Sequence, residues 1–115
     1  MELSTTNGHI SKMNRDEQLE QEIQDKGLTA PRVTLEALRA KIKHTEIVKH
    51  TTPAGGILRW AVLTMQNGFS ITGEPSAAVS AENDDAEIGE RIAIENATNR
   101  VWAFEGYLLK EQLSK

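Results

Sequence analysis

The sequence predicts an α+β fold: a three-stranded antiparallel meander packed with C-terminal helices and preceded by one or two N-terminal helices. Three observations carry this reading. Asn67-Gly68 separates two β-rich runs, and Asn-Gly is the strongest short hairpin signal, because a type I′ turn needs positive φ at both central residues. The run from Ile57 to Met65 is the most apolar stretch of the chain and suits a central strand. After residue 85 the period lengthens, with Ile88, Ile92, Ala93, Ile94 and Ala97 building a wide apolar helix face.

Each element follows in order. Residues 1–13 mix Ser, Thr, Asn and Gly with few apolar anchors and are expected to be a disordered tail. Residues 14–43 form an N-terminal helical extension. Asn14 caps a first helix that stops at Gly27, and its apolar stripe is only Leu19 and Ile23, which predicts a solvated helix. Pro31 breaks the chain. Thr34 caps a second helix from Leu35 to Lys43, with Leu35, Leu38 and Ile42 on one face.

Residues 44–115 form the α+β core domain. His44 to Thr51 reads as an edge strand, Thr52 to Gly56 as a turn, and Phe69 to Gly73 as the third strand. Glu74 to Asp84 reads as a loop. Asp84 or Asp85 caps a helix expected to end near Arg100, and the aromatic-rich tail predicts a separate short helix packed across the sheet.

Composition narrows the function. The chain has no cysteine, which excludes disulfides, thiol catalysis and Cys-based zinc sites. Its start lacks a basic and apolar leader, and no apolar run approaches the ~20 residues of a membrane span, so a cytosolic setting is expected. Residues 1–43 hold 7 acidic and 7 basic side chains, whereas residues 44–115 hold 10 and 6. A broad nucleic-acid-binding face is therefore unexpected, since phosphate neutralisation needs clustered cations. A core of about 70 residues is also marginal alone, which favours a homo-oligomer.

Site chemistry is sparse. His44, Glu46 and His50 share a strand face, but the two histidines stand roughly 20 Å apart, too far for one metal. The carboxylates Glu82, Asp84, Asp85, Glu87 and Glu90 lack the central Gly of an EF-hand and are explained by helix capping. No nucleophile elbow or Ser–His–carboxylate grouping is evident, so no enzyme, metal or cofactor is expected. Arg59, Arg91 and Arg100 are the residues that could form an anion pocket, with Phe69 and Tyr107 as stacking platforms. Phe69, Arg91, Arg100 and Tyr107 are the candidate ligand-binding set.

Several motifs occur together in order: Leu63-Thr64, Asn67-Gly68-Phe69, Thr72-Gly73-Glu74, Asp85-Ala86-Glu87-Ile88-Gly89, Ala93, Asn96-Ala97, Trp102 and Glu105-Gly106-Tyr107-Leu108-Leu109. Through them the chain resembles the gene-49/gene-66 family of small tailed-phage proteins. Ala30-Pro31-Arg32-Val33 resembles the family's approach to its first core helix. Ala103 departs from it, because the family often has Pro after the Trp. The resemblance implies a phage or prophage accessory protein in the host cytoplasm, outside the virion, acting in host takeover or counter-defence. It suggests a non-catalytic protein that neutralises a host factor. In size and layout the chain is also similar to sponges for cyclic nucleotide or cyclic ADP-ribose immune signals, which is an analogy of architecture. The alternative is an acidic inhibitor whose Glu82–Glu90 face mimics nucleic acid and blocks a host enzyme.

Overall fold

The computed structural model describes residues 13–115. The expected disordered tail lies outside the described residues, apart from Met13. Two short helices come first. Helix α1 (Arg15–Asp25) opens on a capping box in which the Glu17 N–H donates to Asn14 Oδ1 at 2.8 Å and the Asn14 N–H donates to Glu17 Oε1 at 3.0 Å. It buries no residue. Helix α2 (Leu35–Lys41) is capped by Thr34, and Leu35 and Leu38 are its buried residues. It ends two residues earlier than the sequence predicts, because the β-branched Ile42 already pairs with Met65 in the sheet.

Four strands follow: β1 (Ile42–Thr51), β2 (Ile57–Met65), β3 (Ser70–Thr72) and β4 (Ser76–Ala78). All pairings are antiparallel and all are made with β2. One edge of β2 carries β1 along its whole length; the other carries β3 and β4 in succession. The predicted meander is present, with β1 as its edge and β2 at its centre.

The hairpin signal was right in place and different in type. Among the described residues only glycines have positive φ, so Asn67 cannot occupy the left-handed region that a type I′ turn requires. The Gly68 N–H instead donates to Met65 O at 2.8 Å, the Met65 N–H donates to Phe69 O at 2.8 Å, and Gly68 has φ 89°. This is the three-residue loop, a tight turn followed by one left-handed glycine.

Strand β4 falls where the sequence predicts a loop. Between Thr72 and Ser76 the chain advances four residues while its partners on β2 step back three, from Val62 to Arg59. The extra residue sits in Gly73-Glu74-Pro75, where Pro75 has no N–H for the ladder, and pairing then resumes. Ser76-Ala77-Ala78 lacks the large alternating side chains that mark a strand.

Helix α3 (Ala86–Leu113) is one uninterrupted 28-residue helix, about 42 Å long. The break expected near Arg100 does not occur. Ala103 leaves the backbone hydrogen bonds intact where a proline would remove one, so the tail continues the helix. Ala93, Ala97 and Val101 are fully buried against the sheet, four residues apart. With Leu38, Ala61, Leu63, Met65 and Ile71 they form the core, and Ile47 and Trp102 pack on its margin. The odd-numbered residues of β2 face this layer and are buried; the even-numbered ones, including Trp60, are half-buried on the opposite face. No helix among the described residues is long and apolar enough to cross a membrane.

Candidate functional site

Close packing of α3 on the sheet decides which side chains remain available. An added Cβ at Gly73 would lie 2.3 Å from Ala97 N and 2.6 Å from Ala97 Cα, so the backbone just after β3 runs directly against the helix backbone. Nearby, the Asn96 side-chain amide donates to Glu74 O at 2.9 Å. Small residues therefore fill the interface, and larger apolar side chains of α3 lie to either side. Phe104, Tyr107 and Leu108 all remain substantially exposed.

Beyond Val101 the helix passes the β2–β3 hairpin, and a groove of about 250 Å³ opens there. Met65, Ile71 and Leu108 supply apolar lining. Phe69 and Phe104 face each other edge to face, with ring centroids 5.6 Å apart and planes at 71°. Phe69 is about half exposed although its ring is packed. The loop holds it in place, since the Phe69 N–H donates to Asn67 Oδ1 at 2.9 Å. Lys41 at the rim approaches Glu105 at 3.8 Å, which largely offsets its charge. The groove is apolar and aromatic, with no strong field of either sign.

Of the four residues singled out from sequence, Phe69 alone lines this groove. Arg100 donates from Nη1 to Thr72 O at 2.9 Å, tying the helix to β3. Arg91 is exposed nine residues earlier, about 13.5 Å along the axis and on the opposite side of the helix. Tyr107 is three-quarters exposed and outside the groove lining. Within one chain these four do not converge. Phe104 was missed, although its signal was present: steps of three or four residues from Ala93 run through Ala97 and Val101 to Phe104 and Leu108.

Arg59, also considered as an anion ligand, belongs to the interior. It is 4% exposed and grips Asp84 with both terminal guanidinium nitrogens, Nη1 and Nη2, at 2.5 and 2.8 Å. That hydrogen bonding lowers the Asp84 pKa and raises that of Arg59. The pair pins the loop before α3 to the central strand. Asp85 then caps the helix, its Oδ1 accepting the Ile88 N–H at 3.0 Å. Two of the clustered acids thus have structural partners, and no group of metal-binding side chains exists among the described residues.

The N-terminal helix is held by polar contacts. Glu20 accepts two bonds from Arg32, at 3.0 and 2.8 Å, and a third from the Leu35 N–H at the start of α2, at 3.0 Å. These donors, led by Arg32, hold the Glu20 carboxyl at a pKa of about 2. Glu17 pairs with Arg39 at 3.0 Å, and the Trp102 indole donates to Asp16 Oδ2 at 3.1 Å. A second cleft, apolar at Leu19, Ile23, Val33 and Trp102, lies between α1 and α3.

The sequence pattern of the Phage protein (N4 Gp49/phage Sf6 gene 66) family matches residues 33–113. The chain belongs to that family. The matched span takes in α2, the whole sheet and all of α3, so the aromatic groove lies inside the family region while α1 precedes it. No curated protein and no solved structure matches the chain. Family membership makes this a phage protein, and it carries no activity with it.

Proposed function

We propose that this phage protein is a non-catalytic accessory protein of the host cytoplasm that binds and neutralises a host protein through the Phe69–Phe104 groove. The carrying observation is the exposed aromatic pair over an apolar hollow whose one rim cation is matched by Glu105. Aromatic anchors in concave apolar sites are the usual energetic centres of protein interfaces. A phosphorylated ligand would need unmatched cations beside the rings. Arg59 is matched by Asp84, Arg91 is distant, and Arg100 lies outside the groove lining with its guanidinium on Thr72 O, so support for a nucleotide sponge is weaker. A homo-oligomer fits the same reading, because the sheet face bearing Trp60 and much of α3 retain apolar surface.

The test uses tagged full-length protein expressed in the bacterial host, beside the Phe69→Ser/Phe104→Ser double variant. Both rings are partly exposed, so the variant should stay folded by circular dichroism. A stoichiometric host protein retained by the wild type and lost from the variant is the expected result. Identical co-purifying proteins in both samples would reject the groove. Mass spectrometry of heat-released small molecules tests the sponge, and a released cyclic nucleotide would replace the protein-binding reading.

A further inference from the structure

The outer edge of β1 is the longest strand edge without a pairing partner among the described residues. The strand has ten residues and pairs only with β2. On its helix-facing side Thr45, Lys49 and Thr51 are exposed, so the helix layer does not reach over this edge. The hairpin end fixes which backbone groups point outward. The Thr52 N–H donates to Gly56 O at 2.8 Å, so Thr52 points its groups at β2. Alternation then turns residues 50, 48, 46 and 44 inward, and residues 51, 49, 47 and 45 outward with unpaired N–H and C=O groups. Such an edge is a template for another strand.

A second copy fits it by charge. Two identical antiparallel strands in one sheet are related by a two-fold axis perpendicular to the sheet, which preserves faces, so only residues of like parity stand opposite. A centre at Glu46 sets that carboxylate against itself, and one at Lys49 does the same for two ammonium groups. A centre at Ile47 places His44 opposite His50. A centre at Thr45 runs the pairing into the irregularity between Ile42 and His44. A centre at Val48 avoids all of these. It places Glu46 opposite His50 of the second copy twice, and Val48 against Val48. Each Val48 also lies beside Trp60 on β2, so an apolar strip would cross the junction.

We propose that the chain dimerises by antiparallel pairing of β1 edges about a two-fold axis at Val48, joining two four-stranded sheets into one. The inference rests on the oligomeric part of the proposed function and names its interface. Residues 45 to 51 of each copy form about eight new backbone hydrogen bonds.

Sedimentation equilibrium of the full chain should give twice 12.7 kDa. The sequence has no cysteine, so one introduced thiol reports one position. Val48 would occupy a non-hydrogen-bonded pair with Cα atoms about 4.5 Å apart, within disulfide range. Val48→Cys should therefore oxidise to a covalent dimer, while His44→Cys and His50→Cys should not. Lys49→Pro removes an outward N–H and spares the β1–β2 ladder, so it should weaken the dimer by roughly tenfold or more while the monomer stays folded. Glu46→Lys should also weaken it, and Glu46→Lys/His50→Glu should restore it. A monomer at 100-micromolar order would overturn this interface and the oligomeric reading together. A dimer that neither crosslinks at Val48 nor responds to Lys49→Pro would overturn the interface alone.

Discussion

Gly73→Ala should be among the most damaging single substitutions in this chain. Gly73 does not have positive φ, so backbone conformation gives no reason for glycine there. Space does. A methyl group would meet Ala97 N at 2.3 Å, Ala97 Cα at 2.6 Å and Asn96 C at 2.6 Å, against ordinary contacts of 3.4 to 4 Å. All three obstacles are backbone in the middle of α3, so no rotamer change relieves them. Either β3 or the helix must move by about 1 Å. A gap of that size forfeits a quarter to a half of each dispersion contact along the interface. Overpacking alone typically costs 1–3 kcal/mol. Added to loosened contacts at Ala93, Ala97 and Val101, the expected loss is about 3 kcal/mol. For a domain of about 100 residues, 1 kcal/mol shifts Tm by roughly 4–8 °C, so the midpoint should fall by roughly 12 °C or more. Thermal and urea unfolding followed by circular dichroism measure it. A fall below about 4 °C with unchanged urea m-value would show that the helix and sheet tolerate separation, and the close-approach argument would be wrong.

Gly106→Ala should act in the opposite sense, because nothing lies within 4 Å of the added methyl and the residue is inside a helix; a gain of about 0.5–1 kcal/mol in the same urea titration is expected from helix propensity. The docking of α1 should be acid-sensitive. Glu20 has its pKa lowered from 4.5 to about 2 by Arg32 and the Leu35 N–H, so its contribution is complete above pH 4.5 and is lost as pH falls toward 2. Trp102 fluorescence in a Trp60→Phe background should report that transition, and Glu20→Gln should already lack the contribution at pH 7.

The sequence carried the sheet well where side-chain periodicity and turn chemistry agreed. The apolar run of β2, the loop glycine at position 68 and the β-branched residues of β1 each have a local cause, so each was legible. What escaped was decided at a distance. Strand β4 exists because β2 offers an unoccupied edge opposite Ile57 to Arg59, not because Ser76-Ala77-Ala78 prefers extension. Helix α3 continues through residues 101–113 because nothing in that stretch stops it, and apolarity alone had suggested a separate packed element. The same limit applied to the site. Arg59 and Asp84 are 25 residues apart, and only the fold shows that they neutralise each other. Phe69 was recognisable as an aromatic beside a turn, whereas its partner Phe104 required the register of α3 on the sheet.

That register also bears on why a surface-active reading suits this phage protein. A helix seated on Ala93, Ala97 and Val101 approaches its sheet closely, but these small side chains contribute little apolar area. Burial stabilises by about 25 cal/mol per Å², so a design directed only at stability would turn the large residues inward. Here Ile88, Ile92, Ile94, Phe104, Tyr107 and Leu108 are all more than a third exposed, and Gly73 enforces the seating that leaves them so. In a small domain with a marginal core, so much exposed apolar surface along one helix has a physical rationale if partners cover it. The groove at Phe69 and Phe104 and the open edge of β1 provide two distinct places for them, one suited to side-chain anchors and one to backbone pairing.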